Sequence, residues 1–196
     1  MTASRDRTVV TGSLAVFAGG AIVARRAGVT RVEQLWFTRL NGLSHRGYGA
    51  AWPPMQLGSL GGPLAVGAAL ALAGERRHGA RVAAVGAFTW AAAKAVKPLV
   101  RRGRPAHTVD VARVLGRTQA GLGYPSGHAA VAAATTALVA PRLPRPWGAV
   151  AWAWGLAVGP LRTYVGAHLP LDVVGGAALG IAVGTAARSV GRQMEV

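Results

Sequence analysis

Apolar residues run in six stretches, at 9–24, 52–74, 82–96, 128–140, 147–161 and 169–187, separated by arginines, prolines and short polar turns. A bilayer-crossing helix needs about 20 apolar residues, and flanking Arg, Tyr and Trp side chains extend shorter stretches by reaching to the interface. The pattern predicts an all-α, polytopic transmembrane helix bundle of about six spans. Five spans, with the first stretch lying on the surface, is the alternative. Arg5 and Arg7 precede the first stretch, and Arg25 and Arg26 follow it without a small-residue cleavage site. It therefore reads as an uncleaved anchor and not as a cleaved signal.

Between the first two stretches, Val32, Leu35, Trp36, Leu40 and Leu43 recur at helical spacing, with Arg31, Glu33, Arg39 and Asn41 elsewhere around the wheel. This predicts an amphipathic helix, either lying in the membrane interface or packed on other parts of the protein. Residues 75–81 form a basic loop and 141–146 a proline-punctuated turn. With no low-complexity linker and no repeat, a single domain over 1–196 is expected. In the last stretch Asp172, Gly176, Gly180 and Gly184 share an i, i+4 row, so close helix approach is expected to run up to an acidic residue.

Composition sharpens this picture. The chain carries 22 Lys+Arg against 6 Asp+Glu, a formal charge of +16, yet 52% of its residues are hydrophobic. A basic disordered tail or a nucleic-acid arm would be poor in apolar residues. The basic residues flank the stretches and do not line one face, and no nucleic-acid motif is present, so nucleic acid is not an expected partner. The charge instead suits anionic lipid headgroups. Drawn as six spans, it falls almost evenly on both membrane faces, so it does not orient the chain. Absence of Cys excludes thiol chemistry and Cys-ligated metals. Arginine far outnumbers lysine, which suggests a GC-rich bacterial genome.

Ionisable residues at the ends of apolar spans mark candidate chemistry. Three clusters stand out: Lys97 to Arg104-Pro105, Tyr124-Pro125-Ser126-Gly127-His128, and Arg162 through His168 to Asp172. Pro98 predicts that the third span ends at Lys97. Pro125 predicts a helix start whose free N–H groups, at Ser126, Gly127 and His128, form an anion site. Pro170 predicts that the last helix starts near Leu169, with Asp172 in its first turn, one turn from the imidazole of His168. In an antiparallel bundle the three clusters meet at one face. Together they supply two imidazoles, one carboxylate and three cations around a helix N-terminus.

These residues resemble the type 2 phosphatidic acid phosphatase (PAP2) superfamily of membrane lipid phosphatases. Its signature of K-x6-R-P, P-S-G-H and S-R-x5-H-x3-D is matched by Lys97…Arg104-Pro105, by Pro125–His128 and by Arg162…His168…Asp172, with Leu161 in place of the last motif's serine. The resemblance covers residues 97–172. It implies that His168 attacks phosphorus to give a phosphohistidine, that Asp172 orients His168, and that His128 protonates the leaving oxygen and then helps activate water. It further implies that Lys97, Arg104, Arg162, Ser126 and Gly127 hold the phosphate, with no metal and no cofactor. Asp172 being the only acidic residue in the clusters agrees with this.

The implied substrate is a lipid phosphate or diphosphate of the bacterial cell envelope: undecaprenyl diphosphate, decaprenyl phosphoribose phosphate, phosphatidylglycerophosphate or phosphatidate. The implied place is the inner membrane, with the site facing outward. A phosphotransferase and a non-enzymatic lipid-binding protein are the competing classes. Arg101 and Arg102 read as interfacial anchors. Lys94 reads as a snorkelling side chain, and 106–123 as a solvated connection whose residues 110–115 could form a short helical lid. Tyr124 and Tyr164 read as interfacial tyrosines or substrate contacts.

Overall fold

A computed structural model describes residues 2–193. Nine α-helices occupy it: α1 (Thr2–Arg26), α2 (Arg31–Asn41), α3 (Tyr48–Met55), α4 (Gly61–Leu72), α5 (Arg76–Val100), α6 (Pro105–Thr108), α7 (Gly127–Val139), α8 (Arg145–Tyr164) and α9 (Pro170–Gln193). The described residues contain no strand. Two helices, α1 and α9, are long and apolar enough by themselves to cross a membrane. A third unit that passes this test together is bent by 69° at the break between residues 45–58 and α4. The stretch expected as one span at 52–74 is therefore two helices at an angle. Its break falls where Gly58, Gly61 and Gly62 interrupt the run, and glycine stabilises a helix least of all residues but proline.

Helix α7 forms the centre. Every residue from Ala129 to Leu138 is buried, and α5, α8 and α9 pack around it while α1 lies along α9. Alanine on all sides of α7 lets its neighbours approach its backbone closely. The glycine row of α9 completes that approach. A methyl added to Gly176, Gly180 or Gly184 would overlap the carbonyl oxygen of Ser126, Ala130 or Ala134 respectively. The two rows, both at i, i+4 spacing, interlock along their length, as the sequence pattern predicts. At its upper end the seam closes with a hydrogen bond from Ser126 N to the carbonyl of Asp172, at 2.8 Å.

Helix α5 does not end at Lys97. It continues to Val100, with Pro98 inside its last turn and Arg101 in the left-handed region at φ 56° as its cap. Pro98 has no N–H to give the Lys94 carbonyl, and the helix runs only two residues beyond it. Arg101 also donates from Nε to the Pro98 carbonyl, at 3.2 Å.

In α2 the inward stripe is Glu33, Phe37 and Asn41, all buried, whereas Val32, Leu35 and Trp36 are exposed. Val32, Leu35 and Trp36 thus point away from the protein, while Glu33 and Asn41 point into it on either side of the buried Phe37.

Candidate active site

Each signature residue is placed by a local device that its sequence dictates. Ser126 caps α7, its hydroxyl accepting from Ala129 N at 3.4 Å. This leaves His128 on the first turn, half-buried and facing a cavity. Its backbone is pressed against Gly58, where a methyl would lie 2.8 Å from the His128 Cα. Helix α8 ends at Tyr164, and Gly166 at φ 73° reverses the chain. The Arg162 carbonyl then accepts from both Ala167 N (3.0 Å) and His168 N (3.2 Å), so the loop carrying His168 is tied to the residue carrying a phosphate-type cation. Pro170 opens α9, and the carboxylate of Asp172 reaches back to accept from Leu169 N at 3.0 Å, half of a capping box.

His168 and Asp172 meet as expected. Nδ1 of His168 lies 3.4 Å from Oδ2 of Asp172, and both side chains are almost fully buried. With Nδ1–H donating to the carboxylate, Nε2 carries the free lone pair. Nε2 lies 3.4 Å from Nη1 of Arg104. Burial is the main force on this imidazole and lowers its pKa to about 4; the hydrogen bond and charge of Asp172 oppose the shift, and Arg104 and Lys97 add to it. His168 is therefore neutral at physiological pH, the state a nucleophile requires.

Arg104 and Arg162 flank a polar-lined cavity of about 210 Å³, together with His128, Tyr48, Gln56 and Gln119. Arg104 is held there by the Ala167 carbonyl at 2.8 Å and the Gly121 carbonyl at 3.2 Å, and its burial lowers its pKa. Arg162 is 6% exposed, and its Nε and Nη2 have no hydrogen-bond partner. Two unpaired guanidinium nitrogens are costly in a buried site, and an anion in the cavity removes that cost.

Lys97 is arranged differently. Its ammonium donates to the carbonyls of Leu122 (2.8 Å), Gly123 (3.0 Å) and Pro125 (2.9 Å). All three of its protons are spent on the loop that carries Pro125, Ser126 and Gly127.

The structure also recruits residues that the sequence pattern does not single out. Arg102, expected as an interfacial anchor, is 4% exposed. It donates to Asp172 Oδ1 at 3.0 Å and to the Gly28 carbonyl at 2.7 Å, and forms a two-point ion pair with Glu33. Burial disfavours its charge, but Glu33 and Asp172 outweigh that and raise its pKa. Glu33 Oε1 also accepts from Leu171 N at 2.9 Å. Asn41 donates to the carbonyls of Arg113 and Tyr164, both at 2.8 Å, and so clamps residues 109–121 onto α8.

Residues 110–115 form no helix; the short helix lies earlier, at Pro105–Thr108, and Val114, Leu115, Arg117, Thr118 and Gln119 line the cavity as loop. Lys94 stacks over Trp90 at 3.8 Å and is exposed. Tyr124 is buried, stacked on Phe17, and Tyr164 donates to the Ser44 carbonyl at 2.7 Å. Both tyrosines pack the scaffold.

Comparison with known proteins decides the family. The family model of the PAP2 superfamily matches residues 78–193. The decaprenylphosphoryl-5-phosphoribose phosphatase of Mycolicibacterium smegmatis is 35% identical over 160 residues, covering 80% of this chain and 76% of that protein. The chain belongs to the PAP2 superfamily. The decaprenylphosphoryl-5-phosphoribose phosphatase of Mycobacterium tuberculosis is 40% identical over 134 residues, covering 65% of this chain and 70% of that one. Among solved structures, the transmembrane PAP2 type phosphatidylglycerolphosphate phosphatase from Bacillus subtilis shares the fold, with a TM-score of 0.76, 20% identity and 96% of each chain covered. Aquifex aeolicus LpxE matches with a TM-score of 0.69 and 21% identity, over 77% of this chain and 91% of that one.

The chain is thus an integral-membrane PAP2 phosphatase. Within this family its departure at Leu161 has a clear setting. Arg162 faces the cavity, whereas Leu161, one residue back and so about 100° around the helix, lines an open apolar groove of about 420 Å³ with Leu40, Leu43, Pro54 and Tyr164. Among the described residues no group of three or more His, Asp or Glu is placed to hold a metal ion.

Proposed function

We propose that this protein hydrolyses the terminal phosphomonoester of a polyprenyl-type lipid, of the decaprenylphosphoryl-5-phosphoribose class, through a phosphohistidine. The carrying observation is the pair of unpartnered, buried guanidinium nitrogens of Arg162 at the cavity that His128 and Arg104 also line. The identity of 35–40% to phosphatases named for that substrate supports its choice among lipid phosphates.

In the proposed reaction Nε2 of His168 attacks phosphorus and the bond from phosphorus to the lipid-side oxygen breaks. His128 gives that oxygen its proton. A water then loses a proton to His128 and attacks the phosphohistidine, the N–P bond breaks, and inorganic phosphate leaves. Arg104 and Arg162, with the N–H of Gly127 at the start of α7, offset charge on the non-bridging oxygens. Asp172 holds the tautomer and steadies the imidazolium. Lys97 acts by shaping the loop of Ser126 and Gly127 and by its charge. No metal takes part.

We further infer six crossings, formed by α1, the bent α3–α4 pair, α5, α7, α8 and α9, with α2 lying in the interface on its exposed Val32, Leu35 and Trp36. Thirteen residues of α7 span only about 20 Å, but this helix is wrapped by protein and needs no lipid-facing length. The site then lies at one membrane face of the bacterial inner membrane, taken to be the outer.

The test is a panel of lipid phosphates assayed with chelator, wild type against His168→Ala. Phosphate release from the phosphoribosyl lipid, preserved in chelator and lost in the variant, is the expected result. A requirement for added Mg²⁺, or full activity in the variant, would refute the reading.

A further inference from the structure

Two arginines stand on the loop between α6 and α7, and the fold uses them differently. Arg113 is committed to the scaffold. Its Nη2 donates to the carbonyls of Asn41 and Leu43, and its backbone N–H donates to Asn41 Oδ1 at 2.8 Å. Arg117 is exposed and lines the cavity that His128, Arg104 and Arg162 also line. Among the described residues no hydrogen bond or ion pair holds its guanidinium. The backbone that carries it is nevertheless fixed on both sides. Leu115 N donates to the Val165 carbonyl at 3.0 Å. Gly116, at φ 81°, passes so close to α3 that a methyl there would overlap the hydroxyl of Tyr48. Beyond Arg117, Gln119 Oε1 accepts from Arg104 Nη1 at 3.4 Å.

The cavity is thereby graded from base to rim. At the base, Nη1 of Arg104 stands 3.4 Å from Nε2 of His168 as well as 3.4 Å from Gln119. Arg104 and Arg162 are buried there, whereas Arg117 is the exposed cation of the lining. From Gln119 to Arg117 is two residues, a reach of at most about 7 Å, the scale of one sugar ring. The groups that join the two along this wall are neutral hydrogen-bonding ones, the amide of Gln119 and the hydroxyl of Thr118. A cation set apart from the reacting phosphate has nothing to bind in a phosphomonoester of a plain lipid alcohol. It fits a substrate with a second anion, separated from the scissile phosphate by a hydroxylated spacer.

We propose that Arg117 binds the second phosphate of the substrate, the phosphodiester that joins its sugar to the lipid chain, while Thr118 and Gln119 meet the hydroxyls of the sugar. This rests on the substrate class proposed above and deepens it, by assigning to the loop the selection of that class over lipid monoesters with a single phosphate. Arg117 contacts the bound substrate away from the reacting atoms, so its contribution is the same in ground and transition states and reads out in KM.

The test compares two synthetic substrates with the same chain, the same ribose and the same 5-phosphate: farnesylphosphoryl-5-phosphoribose, and the farnesyl riboside 5-phosphate that lacks the phosphodiester. Arg117→Gln is expected to raise KM for the first by roughly fivefold, the order of an exposed charge pair, with kcat little changed, and to leave the second substrate unaffected. Arg117→Lys, which keeps the charge, is expected to restore most of the loss. The preference of the wild type for the first substrate is expected to shrink as salt is raised, and that of Arg117→Gln to be insensitive to salt. Equal loss on both substrates, no loss on either, or a loss confined to kcat would overturn the proposal. Failure of the wild type to release phosphate from either substrate would overturn the proposed substrate class, and this inference with it.

Discussion

Arg102 donates from Nη1 to Oδ1 of Asp172 across 3.0 Å, so the carboxylate facing His168 is itself held from the far side. Glu33 completes this arrangement by pairing with Arg102 and accepting from Leu171 N at the start of α9. Asp172 is thus fixed by a buried ion network reaching into α2, with Arg102 and Glu33 as positioning residues behind the site.

Breaking one member of a buried pair leaves an uncompensated charge, at a cost of about 3–5 kcal/mol. Glu33→Gln keeps the shape of the side chain and removes its charge. It is expected to lower thermal stability and to reduce kcat by roughly tenfold or more, with KM little changed, because the defect lies in the orientation of His168 and not in substrate contact. Steady-state kinetics of a folded Glu33→Gln preparation check this. A rise in KM at constant kcat would show instead that α2 contacts the substrate.

Burial, with help from Arg104 and Lys97, sets the acid tolerance of His168, the proposed nucleophile. The pKa of His168 is lowered from 6.5 to about 4. Between these values the unfolded chain binds a proton that the folded protein does not. Stability supplied by neutral His168 is therefore full above pH 6.5 and falls as pH drops through this window, by up to about 1.4 kcal/mol per pH unit. Unfolding midpoints from pH 7 to 5 are expected to fall less steeply in His168→Gln than in wild type. The acid limb of kcat/KM, which reports the free enzyme, is expected well below 6.5. An acid limb at 6.5 or above would contradict this account.

The meeting of the proposed site residues was legible because spacing survives folding: His168 and Asp172 sit one helical turn apart wherever that turn lies, and their side chains meet at 3.4 Å. The glycine row of α9 was legible for the same reason. Arg102 and Glu33 were not, because an arginine among arginines at a span end looks like any headgroup anchor. Glu33 was equally indistinct on a wheel whose apolar stripe pointed elsewhere. The signal was the i, i+4, i+8 series Glu33, Phe37, Asn41, a second stripe that only the packed partner reveals as the inner one. The bend in the second apolar stretch was hidden because hydropathy records composition and not direction, although Gly61-Gly62-Pro63 marks its place. Lys97 was found by its motif, but its three carbonyl partners depend on the path of residues 122–125, which no local pattern fixes.

That arrangement separates two ways in which Lys97 can matter. A phosphate ligand tolerates Arg, which brings the same charge. An ammonium donating to three carbonyls does not, because a planar guanidinium cannot direct three protons to one tetrahedral set. Lys97→Arg and Lys97→Met are both expected to lose most activity, by roughly 10²-fold. Rescue by arginine, measured as phosphate release, would make direct phosphate binding the main role.

Leu161 tests whether the departure from the family motif touches phosphate at all. Its side chain lines the apolar groove, while Arg162 turns to the cavity. Leu161→Ser adds a hydroxyl on the groove side and removes apolar surface from it. Hydrolysis of a short, soluble phosphomonoester is expected to stay within about threefold of wild type, since no atom at the cavity changes. Hydrolysis of a long-chain lipid phosphate is expected to fall if that chain uses the groove, and a parallel measurement of the two substrates reads the difference. A gain in kcat on the short substrate would mean that the serine hydroxyl reaches the phosphate, and that the leucine had removed a working donor.

Close packing of α7 on α9 leaves no room for a side chain at Gly180. At Gly180 a methyl would overlap the Ala130 carbonyl and stand 2.9 Å from the Ala133 methyl. Neither is the loose end of a side chain, so the helices must separate, at a cost of about 1–3 kcal/mol. The same seam carries the bond from Ser126 N to the Asp172 carbonyl, which means the separation is felt at the site. Gly180→Ala is expected to lower both the unfolding midpoint and kcat, and Gly180→Leu to abolish folding. Gly19→Ala is the control, on α1 with no neighbour within 4 Å. It gains helix propensity in an open position and is expected to unfold no earlier than wild type. Equal behaviour of the two alanine variants would show that α7 and α9 have more room between them than their glycine and alanine rows imply.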